Sequence, residues 1–325
     1  MSGSGATYVA LSGGVGGAKL SLGLAHLLGA RLSVVVNTGD DFRHLGLHIS
    51  PDVDTALYTL AGLVNEETGW GRRGETWTFM AALAALGGPT WFRLGDGDLA
   101  THVDRTARLA AGATLTEVTA HLARRFSIAA AVLPMSDEPV RTVVETDAGS
   151  LAFQEYFVRE ACRPAVRAVR FDGAGLARPT PQVVAALSAP TLAGIVVCPS
   201  NPWLSVDPIL AVPGMREALG ASGVPVVAVS PIIAGRAVKG PAAKIMAELG
   251  IAPDSAAIAR HYAGLIDGLV IDGEDAALTG AIAVPTLVTS TLMRSLDDKI
   301  ALARRCLEFC ERLAAGRRVR PGAGG

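Results

Sequence analysis

The stretch LSGGVGGAKL, Leu11–Leu20, sets four glycines in five positions between an apolar run and a helical pattern. Thr7–Ser12 before it reads as a strand, and Lys19–Leu28 after it reads as a helix. A glycine-rich turn from strand to helix lets backbone N–H groups approach an anion, and the helix N-terminus favours negative charge. Neither of the two familiar phosphate-loop patterns is met. A dinucleotide fingerprint read from Gly14 accepts Gly16 but finds Lys19 at its third glycine. A Walker loop read from Gly13 accepts Lys19 but finds Ala18 and Leu20 where a glycine and a hydroxyl residue belong. The expectation is a phosphate site at Gly13, Gly14, Gly16 and Gly17 that uses the same physics under another pattern. A tight turn that merely needs small residues is the plainer alternative.

Working outward, apolar runs alternate with helical patterns along the 325 residues. Strands are expected at Arg31–Gly39, Ser127–Pro134, Leu192–Ser200, Val224–Pro231, Ile266–Asp272 and Ala283–Ser290. They are mostly apolar, as strands covered on both faces must be. Helices are expected at 52–65, 75–86, 99–111, 116–125, 239–249 and 296–313. The last carries Leu296, Ile300, Ala303, Leu307 and Cys310 at steps of four and three. From Val140 to Asp172 apolar and polar residues alternate in places, which suits half-solvated antiparallel hairpins. These readings predict an α/β fold, a Rossmann-like, doubly wound, mainly parallel sheet. One domain over residues 7–313 carries an inserted α+β region at about 65–175. The ends, 1–6 and the basic 314–325, read as mobile tails.

Composition narrows the classes. Half the residues are apolar, 18% are charged and the formal net charge is −1. A large core is therefore expected, and a nucleic-acid binder, which needs a basic excess or stripe, is not. The N-terminus lacks the charged and apolar regions of a leader, and no apolar window is long enough to span a bilayer. Cys162, Cys198, Cys306 and Cys310 have no metal-site spacing and read as reduced thiols. A cytoplasmic protein with no membrane partner is the expectation.

Ligands of open α/β sheets bind beyond the carboxyl ends of the strands. The second strand ends in NTGDDFRHLGLHISPDVDT, which brings Asp40, Asp41, Asp52 and Asp54 to that edge. Two readings stand side by side. Ser50, Pro51, Asp52 and Asp54 make a good helix start, with Ser50 as N-cap. Alternatively Asp40 and Asp54 share a divalent cation, since Mg²⁺ takes one or two carboxylates together with substrate phosphates. In RLGDGDLATH, Arg93 suits an anion or an aromatic ring, and Asp98 suits a helix cap. His102, like His44 and His48, reads as an ordinary hydrogen-bonded residue. Asn201 in PSNP is available to a nucleobase. Ser230, Lys239 and Gly240 in SPIIAGRAVKGPA are available to a phosphate, or belong to ordinary turns. No Ser-His-Asp or Cys-His pattern stands out.

Seven segments, SGGVGGAKL, VVVNTGDDF, ISPDVDTALYTLAG, LGDGDLATH, LPMSDEPV, PSNP and SPIIAGRAVKGPA, occur in an order and spacing that resembles the 2-phospho-L-lactate transferase (CofD) family. The resemblance covers about residues 7–295. It implies a Rossmann-like fold, a homodimer and a step in making coenzyme F-420. A phospholactyl-type group would move from a guanosine diphosphate-linked donor to the ribityl hydroxyl of the deazaflavin Fo, releasing GMP. By this resemblance Gly13–Gly17 and the loop Ser230–Gly240 contact the donor's diphosphate and nucleoside, and Asn201 lies in the nucleotide region. Asp40 and Asp54 match metal-binding acids for Mg²⁺, and Asp54 with Arg93 matches positions that touch Fo. Asp54 is left with two roles, metal ligand or base on the hydroxyl. Arg43 departs from the aromatic residue that bacterial members often place there. A non-catalytic protein that binds a nucleotide-sugar is the alternative. There a Gly/Ser run tends to follow the acids, where this chain has FRHLGLHISPDVD.

Overall fold

The computed structural model describes residues 5–319. Seven strands form one sheet: β1 (Thr7–Ser12), β2 (Leu32–Val36), β3 (Ala131–Pro134), β4 (Leu192–Val197), β5 (Val226–Val229), β6 (Gly268–Ile271) and β7 (Thr286–Val288). Their order across the sheet is β7-β6-β5-β4-β1-β2-β3, and every pairing is parallel. The chain winds outward from β1 to one edge, then crosses back and winds to the other. The reversal lies between β1 and β4, where a doubly wound sheet opens a crevice for ligands.

Alternation along β1 divides the core. Tyr8 and Ala10 face one apolar layer, and Val9 and Leu11 face the other. The first layer is roofed by α1 (Gly14–Leu28), α2 (Pro51–Leu60) and the C-terminal helix Leu296–Val319. Gly23 is needed where α1 crosses that last helix, because a Cβ there would lie 2.1 Å from the Lys299 carbonyl oxygen. The C-terminal helix runs to Val319 rather than stopping at Leu313. Its buried stripe is Leu302, Ala303, Cys306, Phe309 and Cys310, and Leu296 is 41% exposed, so the expected face is rotated. Of the two tails expected from sequence, residues 1–4 and 320–325 lie outside the described residues.

The excursion expected over 65–175 is not continuous, because β3 lies inside that range and pairs with β2 in the central sheet. On one side of β3 stand α3 (Thr78–Ala85), α4 (Asp96–Ala110) and α5 (Leu115–Arg125). On the other, Arg141–Thr146 pairs antiparallel with Gly149–Ala152 and Val166–Asp172. Both pieces rise beside the carboxyl ends of β1, β2 and β4. No helix among the described residues is long and apolar enough to cross a membrane.

Candidate active site

The glycine stretch is not a loop ahead of a helix. α1 starts at Gly14, so Gly13 is its N-cap, Gly14, Gly16 and Gly17 belong to its first turn and Lys19 sits further along it. Their smallness is forced by neighbours at the crevice. A Cβ on Gly16 would stand 2.3 Å from the Pro199 carbonyl oxygen, and one on Gly17 would stand 2.6 Å from both the Ser12 and Ser200 hydroxyls. The turn after β4 thus packs directly on the first turn of α1. Lys19 Nζ donates to the Met293 carbonyl at 3.1 Å, and burial together with Lys299 and Lys239 lowers its pKa.

The acids of α2 do not cap their own helix. Ser50 makes no side-chain cap, and its hydroxyl donates to Asp41 Oδ2 at 2.8 Å. Asp52 reaches back to α1 and accepts the Gly14 N–H at 2.8 Å and the Asn37 Nδ2 at 2.9 Å. Burial, with Asp41 adding to it, pushes the Asp52 carboxyl up to about 6 against those two hydrogen bonds. Asp40 is buried, and its Oδ1 has no hydrogen-bond partner among the described residues. Burial first and the nearby Asp52 second hold its carboxyl well above the usual range. Asp41 turns away to Ser50 and to His48 Nε2, 3.1 Å distant.

Asp98 is not a cap either. Glu75 accepts the N–H groups of Gly97 and Asp98 at 2.6 and 2.8 Å, and Asp96 in turn accepts those of Thr78 and Phe79 at 3.1 Å. With α4 capped from outside, Asp98 accepts from the Tyr58 hydroxyl at 2.7 Å and lies 3.2 Å from His102 Nε2. Burial raises the Asp98 carboxyl, but His102, Tyr58 and Arg105 outweigh it and leave it below the usual range. Arg105, fully buried, donates through Nη1 to Asp54 Oδ2 at 3.1 Å and through Nη2 to Asp54 Oδ1. Burial raises the Asp54 carboxyl, and Arg105 and His102 oppose that shift. The ligand atoms of Asp54, Asp98 and His102 lie within 4.8 Å of one another.

One cleft of about 640 Å³ gathers nearly all the residues expected from sequence. Gly13, Gly14, Gly16, Asp40, Asp54, Arg93, Asn201, Ser230, Lys239 and Gly240 line it, whereas Gly17 lies buried behind. Several are engaged within the protein. Arg93 stacks on Trp77, 4.1 Å from the ring centroid. Asn201 Oδ1 accepts the N–H groups of Trp203 and Leu204 at 3.0 and 3.2 Å, while its buried Nδ2 has no partner among the described residues. The Ser230 hydroxyl meets Ser255 at 2.9 Å and Ile232 at 3.2 Å in a turn. Lys239 Nζ donates to the Thr68 carbonyl across the mouth. Trp70, Trp91, Phe92, Phe153 and Phe157 supply an aromatic wall.

Sequence reading missed Asp52 as a site residue, and it missed Tyr58, His102, Arg105 and the aromatic wall. A signal for two of them existed: Asp98, His102 and Arg105 follow one another at steps of four and three, which puts them on one stripe of α4. The aromatic wall had none, since its members come from separate segments.

A family profile described as "2-phospho-L-lactate transferase CofD" matches residues 8–283. Among curated proteins, the chain is 44% identical to a phosphoenolpyruvate transferase of Streptomyces griseus, with 94% of this chain and 99% of that one covered. It is 43% identical to one of Streptomyces coelicolor, with 93% and 98% covered, and 41% identical to one of Mycolicibacterium smegmatis, with 86% and 92% covered. Among solved structures, a UPF0052-family protein of Bacillus halodurans superposes with a TM-score of 0.62 at 17% identity, covering 93% of this chain and 99% of that one, a likeness of fold.

Proposed function

The chain belongs to the 2-phospho-L-lactate transferase (CofD) family, a transferase family of the phosphoenolpyruvate and phospholactate type; on that footing we propose that it moves such a group from a guanosine diphosphate-linked donor to the ribityl hydroxyl of Fo, as a homodimer in coenzyme F-420 biosynthesis. The names of its relatives favour the enolpyruvyl donor. The observation that carries the reading is one cleft that gathers a helix N-terminus, buried acids and an aromatic wall.

The donor's diphosphate belongs against the first turn of α1, with Lys239 beside it and the unpartnered Asn201 Nδ2 turned to the base. The aromatic wall suits a flat acceptor ring by stacking. A divalent ion fits at Asp40, whose buried, unpartnered Oδ1 stands next to a second carboxylate, Asp52. Mg²⁺ held there with the diphosphate oxygens would neutralise charge as GMP departs. Asp54 fits that ion less well, because both its oxygens already face Arg105.

The reaction asks for positioning more than covalent chemistry. The acceptor oxygen attacks the phosphorus that carries the three-carbon acid. The new P–O bond forms as the bond to the GMP phosphate oxygen breaks, and the hydroxyl proton passes to Asp54. The α1 N-terminus and Lys239 hold the departing phosphate.

The test is direct. Purified protein with Mg²⁺, Fo and donors carrying enolpyruvate, lactate or glycerate should release GMP and yield a heavier deazaflavin by mass spectrometry. Absence of both products with all three donors would sink the proposal and leave the non-catalytic binding protein.

A further inference from the structure

Asp54, Asp98 and His102 have the composition and spacing of a metal centre. The guanidinium of Arg105 already occupies the middle of the cluster. Its Nη1 lies 3.1 Å from Asp54 Oδ2 and 3.2 Å from His102 Nδ1, and its Nη2 donates to Asp54 Oδ1. An arginine N–H aimed at Nδ1 requires a lone pair there, so the imidazole proton belongs on Nε2, which lies 3.2 Å from Asp98 Oδ2 but makes no hydrogen bond among the described residues. Tyr58 takes the other Asp98 oxygen. The cluster therefore has its cation built in. A planar fork satisfies both Asp54 oxygens at once, which a lysine ammonium cannot do. Arg105 is fully buried and is absent from the lining of the cleft, whereas Asp54 lines it.

We propose that Arg105 is a positioning residue for the transfer: it locks Asp54 in the orientation that meets the acceptor hydroxyl, and it takes the place a divalent ion would hold between Asp54, Asp98 and His102. This rests on the reading of Asp54 as the group facing the acceptor. It separates the site into two halves, a cation half at Asp40 and Asp52 and a guanidinium half at Asp54.

Two measurements test it. The first titrates Mn²⁺ alone, by calorimetry or electron spin resonance, into wild type, Asp98→Asn, His102→Gln and Asp40→Asn. The expected affinities of Asp98→Asn and His102→Gln stay within about twofold of wild type, whereas Asp40→Asn loses about tenfold or more. A wild type that binds no Mn²⁺ overturns the division into a cation half and a guanidinium half. A tenfold loss in Asp98→Asn or His102→Gln overturns it and makes the cluster a metal centre. The second compares Arg105→Lys with Arg105→Gln in turnover. A misaligned Asp54 should lower kcat roughly 10- to 100-fold, with the KM for Fo little changed and partial recovery in Arg105→Lys relative to Arg105→Gln. Wild-type kcat in a folded Arg105→Lys, or a lower melting temperature without any change in kcat, makes Arg105 merely structural. If wild type itself transfers nothing, the proposed function fails, and the Mn²⁺ titration still decides what fills the cluster.

Discussion

Asp52 Oδ1 accepts the backbone N–H of Gly14 at 2.8 Å, so the first turn of α2 supplies an anion to the first turn of α1. A carboxylate thus already sits where a helix N-terminus attracts negative charge. It is buried, and Asp40 stands beside it. Two buried carboxyls thus crowd the end of α1, and burial raises the pKa of both.

That charge has a signature in stability. The Asp52 carboxyl rises from 3.8 to about 6 on folding. The native protein therefore binds this proton more tightly than the unfolded chain does. The added stability is complete below the unfolded value and is lost as pH climbs through the folded one. Melting of the ligand-free protein should shift upward between pH 7 and pH 5, and the shift should shrink in Asp52→Asn. An equal shift in wild type and Asp52→Asn would remove this group as its source.

Gly16 tests the crevice. Its missing Cβ leaves 2.3 Å to the Pro199 carbonyl oxygen, so Gly16→Ala must push the turn after β4 away from α1. The expected cost is about 1–3 kcal/mol in urea unfolding, accompanied by weaker GDP binding. Unchanged stability and GDP affinity would mean that the two turns part freely.

Arg93 is exposed and held on Trp77. Arg93→Ala should cost no more than about 1 kcal/mol of stability. It should raise the KM for Fo and leave GDP binding as it was. A change confined to GDP binding would place Arg93 on the wrong half of the cleft.

Lys239 is exposed and its ammonium holds the Thr68 carbonyl. In Lys239→Ala the melting temperature should hold, GDP affinity should fall, and hydrogen exchange of residues 65–74 should speed up. Slow exchange in that segment would show that the contact does not tether it.

Breaking the buried Arg105–Asp54 pair is the most damaging change expected. Asp54→Ala leaves a guanidinium buried without its counter-charge, at about 3–5 kcal/mol, so turnover and melting temperature should fall together. Asp40→Asn removes charge rather than a partner and should abolish turnover with no loss of melting temperature. A destabilised Asp40→Asn would argue for a structural role at Asp40.

Much of this is legible in the amino-acid sequence. β1, β2, β4 and β5 are continuous apolar runs, and a run buried on both faces can only be the interior of a covered sheet. Glycines crowded after the first such run mark the switch point because backbone must approach backbone there. Ser230 and Gly240 were likewise legible as the turn after a strand.

The acids were legible as a group but not in their roles. Asp52 reads locally as a first-turn acid of its own helix, and only the packing of α2 on α1 turns it toward Gly14. Asp98 reads as a cap, and only Glu75, arriving from 23 residues away, relieves it of that duty.

By itself, then, the amino-acid sequence determined the alternation of buried strands and helices, the crevice at the glycine turn and the set of acids that edge it. These follow from local periodicity and residue size. The tertiary structure alone decided which acid is paired with what. Asp40 keeps one oxygen without a partner among the described residues, Asp52 is held on α1 and Asp54 is locked by Arg105, 51 residues further along the chain. Charges find their partners across space, and burial, which sets how strongly each needs one, exists only once the chain has folded.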